Sequence, residues 1–81
     1  MKITVQLFAR ARDLAGAKRV ELDLPVASSV ADLKRFLAAR FPAISPLVPR
    51  LLVALGTEYA DDKTLLNPDV EVACFPPVSG G

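Results

Sequence analysis

The stretch KITVQLF, residues 2–8, decides the fold, because its side chains alternate in polarity along the chain. Ile3, Val5 and Leu7 share one face of this segment when it is extended, and mostly polar residues lie between them. A period of two is typical of a β-strand that has one face in a hydrophobic core. The sequence therefore predicts a first strand over residues 2–8, with Phe8 on the face opposite the aliphatic set.

Further strands are predicted on either side of one helix. Residues 19–24 and 70–75 alternate as the first strand does, and residues 58–60 can add a short strand. The continuous apolar run LLVAL, residues 51–55, is typical of a central strand that is buried on both faces.

The helical signals lie between the predicted strands. Residues 9–16, ARARDLAG, predict one helical turn that ends at a glycine. Ser29 followed three residues later by Asp32 predicts a capping box, which opens an amphipathic helix through Arg40. Pro42 is expected to end that helix, and residues 42–49 are expected to form an irregular connection over the surface.

The predicted order is β-β-α-β-(β)-β, which indicates an α+β fold with a mixed four- to five-stranded sheet covered on one face by one main helix. A length of 81 residues suits one small core. We expect a single domain over residues 1–75 and an extended, flexible Gly-Gly tail over residues 76–81.

Composition excludes several classes of function. With no histidine and one cysteine, the chain cannot form a Ser-His or Cys-His nucleophile pair, a zinc site of Cys and His ligands, or an intrachain disulfide. The formal net charge is +1, which does not favour nucleic acid as a partner. Residues 1–50 nevertheless hold 9 basic and 4 acidic side chains, whereas residues 51–81 hold 1 and 5. No apolar stretch is long enough for a membrane span, and we expect a cytoplasmic protein without a membrane partner.

The chain ends in PPVSGG, residues 76–81, and two interpretations of this tail are open. It is a frayed terminus, or its carboxylate, on Gly81, is the reacting group. A carboxylate is a poor electrophile and must be activated in another enzyme's pocket, for example as an acyl-adenylate. Glycine at the last two positions suits a tail that threads such a pocket, and the prolines keep it extended.

Two aromatic residues predict a docking surface beside the tail. Phe8 and Phe75 each lie on the strand face opposite the aliphatic set, so they meet on the uncovered face if the first and last strands are parallel neighbours. Tyr59 is a third candidate for this surface. Cys74 shares the inward face of its strand and is expected to be a buried structural cysteine, and the adjacent acidic residues Asp61 and Asp62 are expected to lie in a solvated loop.

Three segments together resemble the small, sulfur-carrying subunit family of molybdopterin synthase. They are FARARDLAG at residues 8–16, EVA at 71–73 and above all FPPVSGG at 75–81. The resemblance spans essentially the whole chain, and the PPVSGG ending is its most specific part. It implies a β-grasp, ubiquitin-like fold, in which the first and last strands are parallel neighbours.

The resemblance also implies a reaction cycle. An ATP-dependent, E1-like enzyme would adenylate the Gly81 carboxylate, and sulfur from a donor such as a cysteine desulfurase would replace AMP to give a thiocarboxylate. The tail, with Gly80 at its penultimate position, would then enter the large synthase subunit and donate sulfur to a pyranopterin precursor of the molybdopterin dithiolene. The assembly would be a heterotetramer, with two small subunits at opposite ends of a large-subunit dimer.

In such a cycle the catalytic side chains belong to the partners, and whether this chain counts as an enzyme stays open. The chain itself would bind no cofactor and no metal, and ATP would be used by the activating enzyme. The resemblance assigns partner binding to Phe8, Tyr59, Phe75, Pro76, Pro77, Val78 and Ser79. Other functions stay open: a sulfur carrier for tRNA thiolation or thiamine synthesis, a ubiquitin-like protein modifier, or a plain ubiquitin-like interaction module.

Overall fold

The structure is a computed structural model that describes residues 1–77, and it consists of one five-stranded sheet with helices on one face. The strands are β1 (Lys2–Leu7), β2 (Arg19–Asp23), β3 (Leu52–Leu55), β4 (Glu58–Ala60) and β5 (Val72–Phe75). The helices are α1 (Ala9–Ala15) and α2 (Val30–Arg40), followed by a 3₁₀ helix over Pro42–Arg50. The strand order is β2-β1-β5-β3-β4, with β1 and β5 parallel and the other pairs antiparallel. The predicted α+β fold with a mixed sheet is confirmed.

A single hydrophobic core lies between the sheet and the helices. The inward residues of the alternating strands supply one side of it, and the buried face of α2 supplies the other. Its largest fully buried side chains are Ile3, Leu7, Leu24, Leu33, Leu37 and Ile44. Since burial stabilises by roughly 1.5–3 kcal/mol for each such side chain, this one face of the sheet holds the fold together.

Local signals fix where α2 begins and where α1 ends, as the sequence predicts. Ser29 Oγ accepts a hydrogen bond from the Asp32 backbone N–H at 3.2 Å, and Asp32 Oδ2 accepts one from the Ser29 N–H at 2.9 Å. This reciprocal pair is a capping box at the start of α2. Gly16 caps α1 with a φ of 74°, a left-handed conformation that glycine adopts without steric cost.

The predicted irregular connection over residues 42–49 is wrong, because the segment forms the 3₁₀ helix Pro42–Arg50. Pro42 ends α2 as expected, but proline's fixed φ of about −65° also fits the first turn of a 3₁₀ helix, where its missing N–H costs nothing. Ile44 and Val48 from this helix are buried in the core. The segment therefore closes one side of the core instead of running over the surface.

The prediction that residues 51–55 form a central strand is confirmed for β3, which pairs with a strand on each side, but the prediction that this strand is buried on both faces is wrong. The middle of the sheet is β5, and β3 lies between β5 and β4. Val53 faces the core at 2% exposure, whereas Leu52, on the other face, is 44% exposed. The helices cover one face only, and on the other face Leu52 remains in solvent whereas Ala54 is buried at 8% exposure.

After β5, Pro76 and Pro77 have no regular secondary structure. The remainder of the predicted tail, residues 78–81, lies outside the described residues. Within residues 1–77, no helix is both long and apolar enough to cross a bilayer.

Candidate docking surface and tail

The first and last strands bring two phenylalanines together at one end of the sheet. Parallel pairing places Leu7 beside Cys74, so the next residue of each strand, Phe8 and Phe75, meets its counterpart on the uncovered face. The two rings stack with centroids 4.7 Å apart and planes 11° from parallel. The Phe8 N–H also donates to the Cys74 carbonyl at 3.2 Å, which extends the strand pairing up to this point. The predicted meeting of the two rings on the open face is confirmed.

Tyr59 joins this pair from β4. Its ring centroid lies 6.4 Å from that of Phe75, with the planes at 65°, an edge-to-face arrangement. Tyr59 is opposite Ala54, which is in turn opposite Ala73, and these small side chains leave room for the tyrosine ring to reach across β3 to Phe75 on β5. We call the three rings Phe8, Tyr59 and Phe75 the aromatic patch.

The aromatic patch is open to solvent. Tyr59 is 72% exposed, Phe8 is 37% exposed, and Phe75 is half-buried beneath its two neighbours. Large apolar side chains that are grouped on a protein surface mark sites of protein–protein contact. The role of the patch in partner binding stays a prediction, although its geometry suits that role.

Sequence reasoning missed one apolar member of this surface. Leu52 is the register partner of Phe75 and lies on the same open face. The available signal was that one predicted main helix can cover only one face of the sheet, so a five-residue apolar strand must present part of itself to solvent.

A groove of about 580 Å³ lies beside the aromatic patch, along the edge strand β4. Its lining residues are Lys34, Leu51, Leu52, Val53, Tyr59, Ala60, Asp61, Asp62 and Lys63. Asp62 pairs with Lys34 at 2.8 Å, and Asp61 Oδ1 accepts hydrogen bonds from the Lys63 N–H at 3.0 Å and the Thr64 N–H at 3.1 Å. Both carboxylates thus hold the loop, which is exposed as predicted. Over residues 1–77 no group of three or more His, Cys, Asp or Glu residues is placed to hold a metal ion.

Next to Phe8, the open face becomes polar at Gln6 and at Arg19 on β2. Glu71 accepts a hydrogen bond from the Gln6 side-chain amide, and its carboxylate lies 3.8 Å from the Arg19 guanidinium. The aromatic patch therefore has a polar border on the side of β2.

Cys74 lies beneath this surface, on the core side of β5. It is 0% exposed, and burial raises the pKa of its thiol to about 12. A thiol in this state is a poor nucleophile, so the predicted structural role is confirmed.

The tail begins directly at the aromatic patch. Pro76, half-buried, and Pro77, exposed, follow Phe75 without a break. The other predicted tail sites, Val78, Ser79, Gly80 and Gly81, lie outside the described residues.

Comparison with known proteins agrees with this arrangement. The sequence profile of the ThiS family matches residues 5–81. The molybdopterin synthase sulfur carrier subunit of Arabidopsis thaliana is 35% identical over 81 residues, which cover 100% of this chain and 84% of that protein. The protein of the same name from Chlamydomonas reinhardtii is 35% identical over 83 residues, covering 100% of both chains.

Among solved structures, SAMP1 from Haloferax volcanii superposes with a TM-score of 0.86 at 28% identity, over 100% of both chains. A putative molybdopterin converting factor subunit 1 from Pyrococcus furiosus superposes with a TM-score of 0.85, also at 28% identity, over 96% of this chain and 99% of that one. With a family match over nearly its whole length, and a fold that superposes on these β-grasp proteins, the chain belongs to the ThiS family.

Proposed function

We propose that this chain is the sulfur carrier of a molybdopterin synthase, acting in the cytoplasm through the carboxylate of Gly81. The observation that carries the proposal is the position of the aromatic patch, which adjoins the point where Pro76 and Pro77 leave the sheet. A partner that docks on the patch receives the tail directly. The names of the relatives from Arabidopsis thaliana and Chlamydomonas reinhardtii support the same function.

The chemistry starts from the inertness of a free carboxylate. At neutral pH the Gly81 carboxylate is ionised and resists nucleophilic attack. An E1-like enzyme joins it to AMP from ATP with release of pyrophosphate, which makes AMP the leaving group. The persulfide sulfur of a donor such as a cysteine desulfurase displaces AMP and forms an acyl disulfide, and a thiol reductant cleaves the S–S bond to leave the thiocarboxylate. The thiocarboxylate sulfur then attacks a pyranopterin precursor of the dithiolene, and water hydrolyses the acyl–sulfur bond, which leaves sulfur on the precursor and returns the Gly81 carboxylate.

The chain's own residues bind and position, and the chemistry takes place on its partners. Phe8, Tyr59 and Phe75 dock against the large synthase subunit or the activating enzyme. Gly80 and Gly81 present a backbone without side chains to a narrow pocket, and the residues 76–79 before them span the distance to it. ATP is bound by the activating enzyme, and this chain binds no cofactor. We propose a heterotetramer with the large subunit as the working assembly.

The test is intact-mass analysis of the untagged chain after incubation with host extract, ATP and a sulfur source. We expect a mass gain equal to the exchange of one oxygen for one sulfur, localised to the C-terminal peptide. The matched controls are a chain without Gly81 and a chain with one alanine appended after it, which should stay unmodified and melt at the wild-type temperature. An unmodified wild-type tail, under conditions that convert an established carrier, would refute the proposal.

A second candidate is a ubiquitin-like protein modifier, which the likeness to the small archaeal modifier protein 1 of Haloferax volcanii favours. A modifier joins its terminal carboxylate to a lysine amine instead of to sulfur. The same extract experiment separates the two functions, because peptides in which Gly81 is linked to a lysine of another protein would identify a modifier.

A further inference from the structure

A second groove, of about 430 Å³, flanks the aromatic patch on the side of β1 that faces β2. It is lined by Gln6, Leu7, Phe8, Arg12, Lys18 and Arg19, and we call it the basic groove. Phe8 lines the groove and also stacks in the aromatic patch. A partner that covers the patch therefore also lies over the mouth of the basic groove.

The basic groove carries three cationic side chains and no acidic one among its lining residues. Arg12 pairs only loosely with its helix neighbour Asp13 at 3.7 Å, and Arg19 lies 3.8 Å from Glu71. All four of these side chains are between 45% and 65% exposed, and ion pairs that are this exposed to solvent are weak. The two guanidinium groups are thus available to a stronger acceptor.

The backbone of Lys18, the third cationic residue of the groove, is held in place by a hydrogen bond. Its backbone carbonyl accepts a hydrogen bond from the Leu7 N–H at 2.7 Å, while its side chain is exposed. The backbone at the start of β2 thereby holds Lys18 and Arg19 beside the end of β1, where Phe8 stands.

We propose that the basic groove receives an acidic segment of the protein partner that covers the aromatic patch; this inference rests on the proposed function. A partner that covered these three cations without supplying carboxylates would desolvate them with only the loose pairs to Asp13 and Glu71 as compensation, which disfavours binding. Complementary charge at the rim of an apolar contact also accelerates encounter between the two proteins.

A protein segment fits the charge distribution better than a nucleic acid does. The chain's net charge is only +1, and residues 51–81 hold 5 acidic side chains and 1 basic one. A polyphosphate backbone that extended from the basic groove across the sheet would meet this acidic part of the chain, whereas a short acidic segment ends within the groove.

The test measures, by stopped-flow, the association rate of the full chain with the large synthase subunit of the same organism. The rate is measured at 10 mM and at 1 M NaCl, because the Debye length falls from about 30 Å to about 3 Å between these concentrations. The test variant is Lys18→Glu/Arg19→Glu, and Lys18→Glu alone leaves the Arg19–Glu71 pair intact in case the double variant folds poorly. The matched control is Lys2→Glu/Arg50→Glu. It changes the net charge equally at exposed residues outside the groove, at the start of β1 and the end of the 3₁₀ helix.

We expect the association rate of the double variant at low salt to fall about tenfold or more relative to the control, with a smaller fall for Lys18→Glu and little difference at 1 M NaCl. Equal rates and equal salt dependence in the test and control variants would overturn this inference while leaving the proposed function standing. Failure of the wild-type chain to bind the large subunit would overturn both. Tight binding of an RNA oligonucleotide that is lost only in the test variants, with unchanged binding to the subunit, would assign the groove to nucleic acid instead.

Discussion

The stacked rings of Phe8 and Phe75 should be energetically coupled, and a double-mutant cycle measures that coupling. The perturbation is Phe8→Ala, Phe75→Ala and the two together. Full burial of a phenylalanine makes its truncation cost about 3–5 kcal/mol, so the half-buried Phe75 should lose about 2 kcal/mol of unfolding free energy. A loss of that size corresponds to a fall of roughly 8–16 °C in Tm for a domain of this length.

The coupling itself comes from ring geometry. Centroids 4.7 Å apart with nearly parallel planes are typical of aromatic pairs worth about 0.5–1.5 kcal/mol beyond the area they bury. Once one ring is removed, the other has already lost that contact. The double variant should therefore be destabilised by about 1 kcal/mol less than the sum of the two single variants.

Urea unfolding followed by far-UV circular dichroism is a suitable assay, because at a slope of about 1 kcal/mol per molar urea the coupling moves midpoints by about 1 M. The matched control is the Phe8→Ala/Phe36→Ala pair. Phe36 lies on α2, on the other side of the sheet, and is 43% exposed, so its variant should be additive with Phe8→Ala. If the Phe8–Phe75 cycle is also additive to within about 0.3 kcal/mol, the stacking deduced from the β1–β5 register is wrong.

Three further predictions follow from the core and from α2. Leu37→Ala, at a fully buried position, should cost about 2–5 kcal/mol in urea unfolding, whereas Phe36→Ala beside it should cost less than about 1 kcal/mol; similar losses would mean that α2 presents a different face to the sheet. The hydrogen bond from the Ser29 backbone N–H lowers the pKa of Asp32 below its ordinary 3.8, so this carboxylate stabilises the fold at neutral pH, and that stability is lost as the pH falls through the native pKa. The unfolding free energies of wild type and Asp32→Asn should then differ at pH 7 and converge in acid, and a difference independent of pH would contradict this origin. Cys74, with its pKa raised to about 12, should react with a thiol reagent at pH 8 only as fast as the domain unfolds, and rapid labelling of the native chain would place the thiol outside the core.

Local signals in the sequence were sufficient for most elements. Alternation identified β1 and β2, and the Ser29–Asp32 pattern located the start of α2, because each of these features depends on neighbours a few residues apart. The 3₁₀ helix was missed because prolines within a segment normally indicate that an α-helix cannot continue there. The signal that pointed the other way was Ile44 and Val48, two aliphatic side chains four residues apart that the core requires.

The docking surface depends on information that is not local. Periodicity placed Phe8 and Phe75 on the uncovered face, but their contact requires the parallel pairing of the first and last strands, which came from the family resemblance. Leu52 was missed for the same reason. A continuous run of apolar residues does not indicate which of its side chains a helix covers. Only the register of β3 on β5 places Leu52 beside Phe75.

The register of β5 links the stability of the fold to its proposed function. Side chains alternate across the sheet, so Val72 and Cys74 enter the core, while Ala73 and Phe75 lie on the open face. A slip of one residue would bury Phe75 and expose Cys74. Backbone hydrogen bonds at both ends of the strand oppose such a slip, from the Gly56 N–H to the Glu71 carbonyl at 3.1 Å and from the Phe8 N–H to the Cys74 carbonyl at 3.2 Å.

Gly56, in the hairpin between β3 and β4, adopts a φ of 64°, a left-handed conformation in which a side chain would be strained. The residue that turns this hairpin therefore also anchors β5 through its N–H. Because Pro76 follows β5 directly, the same register sets where the tail leaves the sheet. Substitutions on the core face should consequently change the unfolding free energy, whereas substitutions on the open face should change partner binding as well.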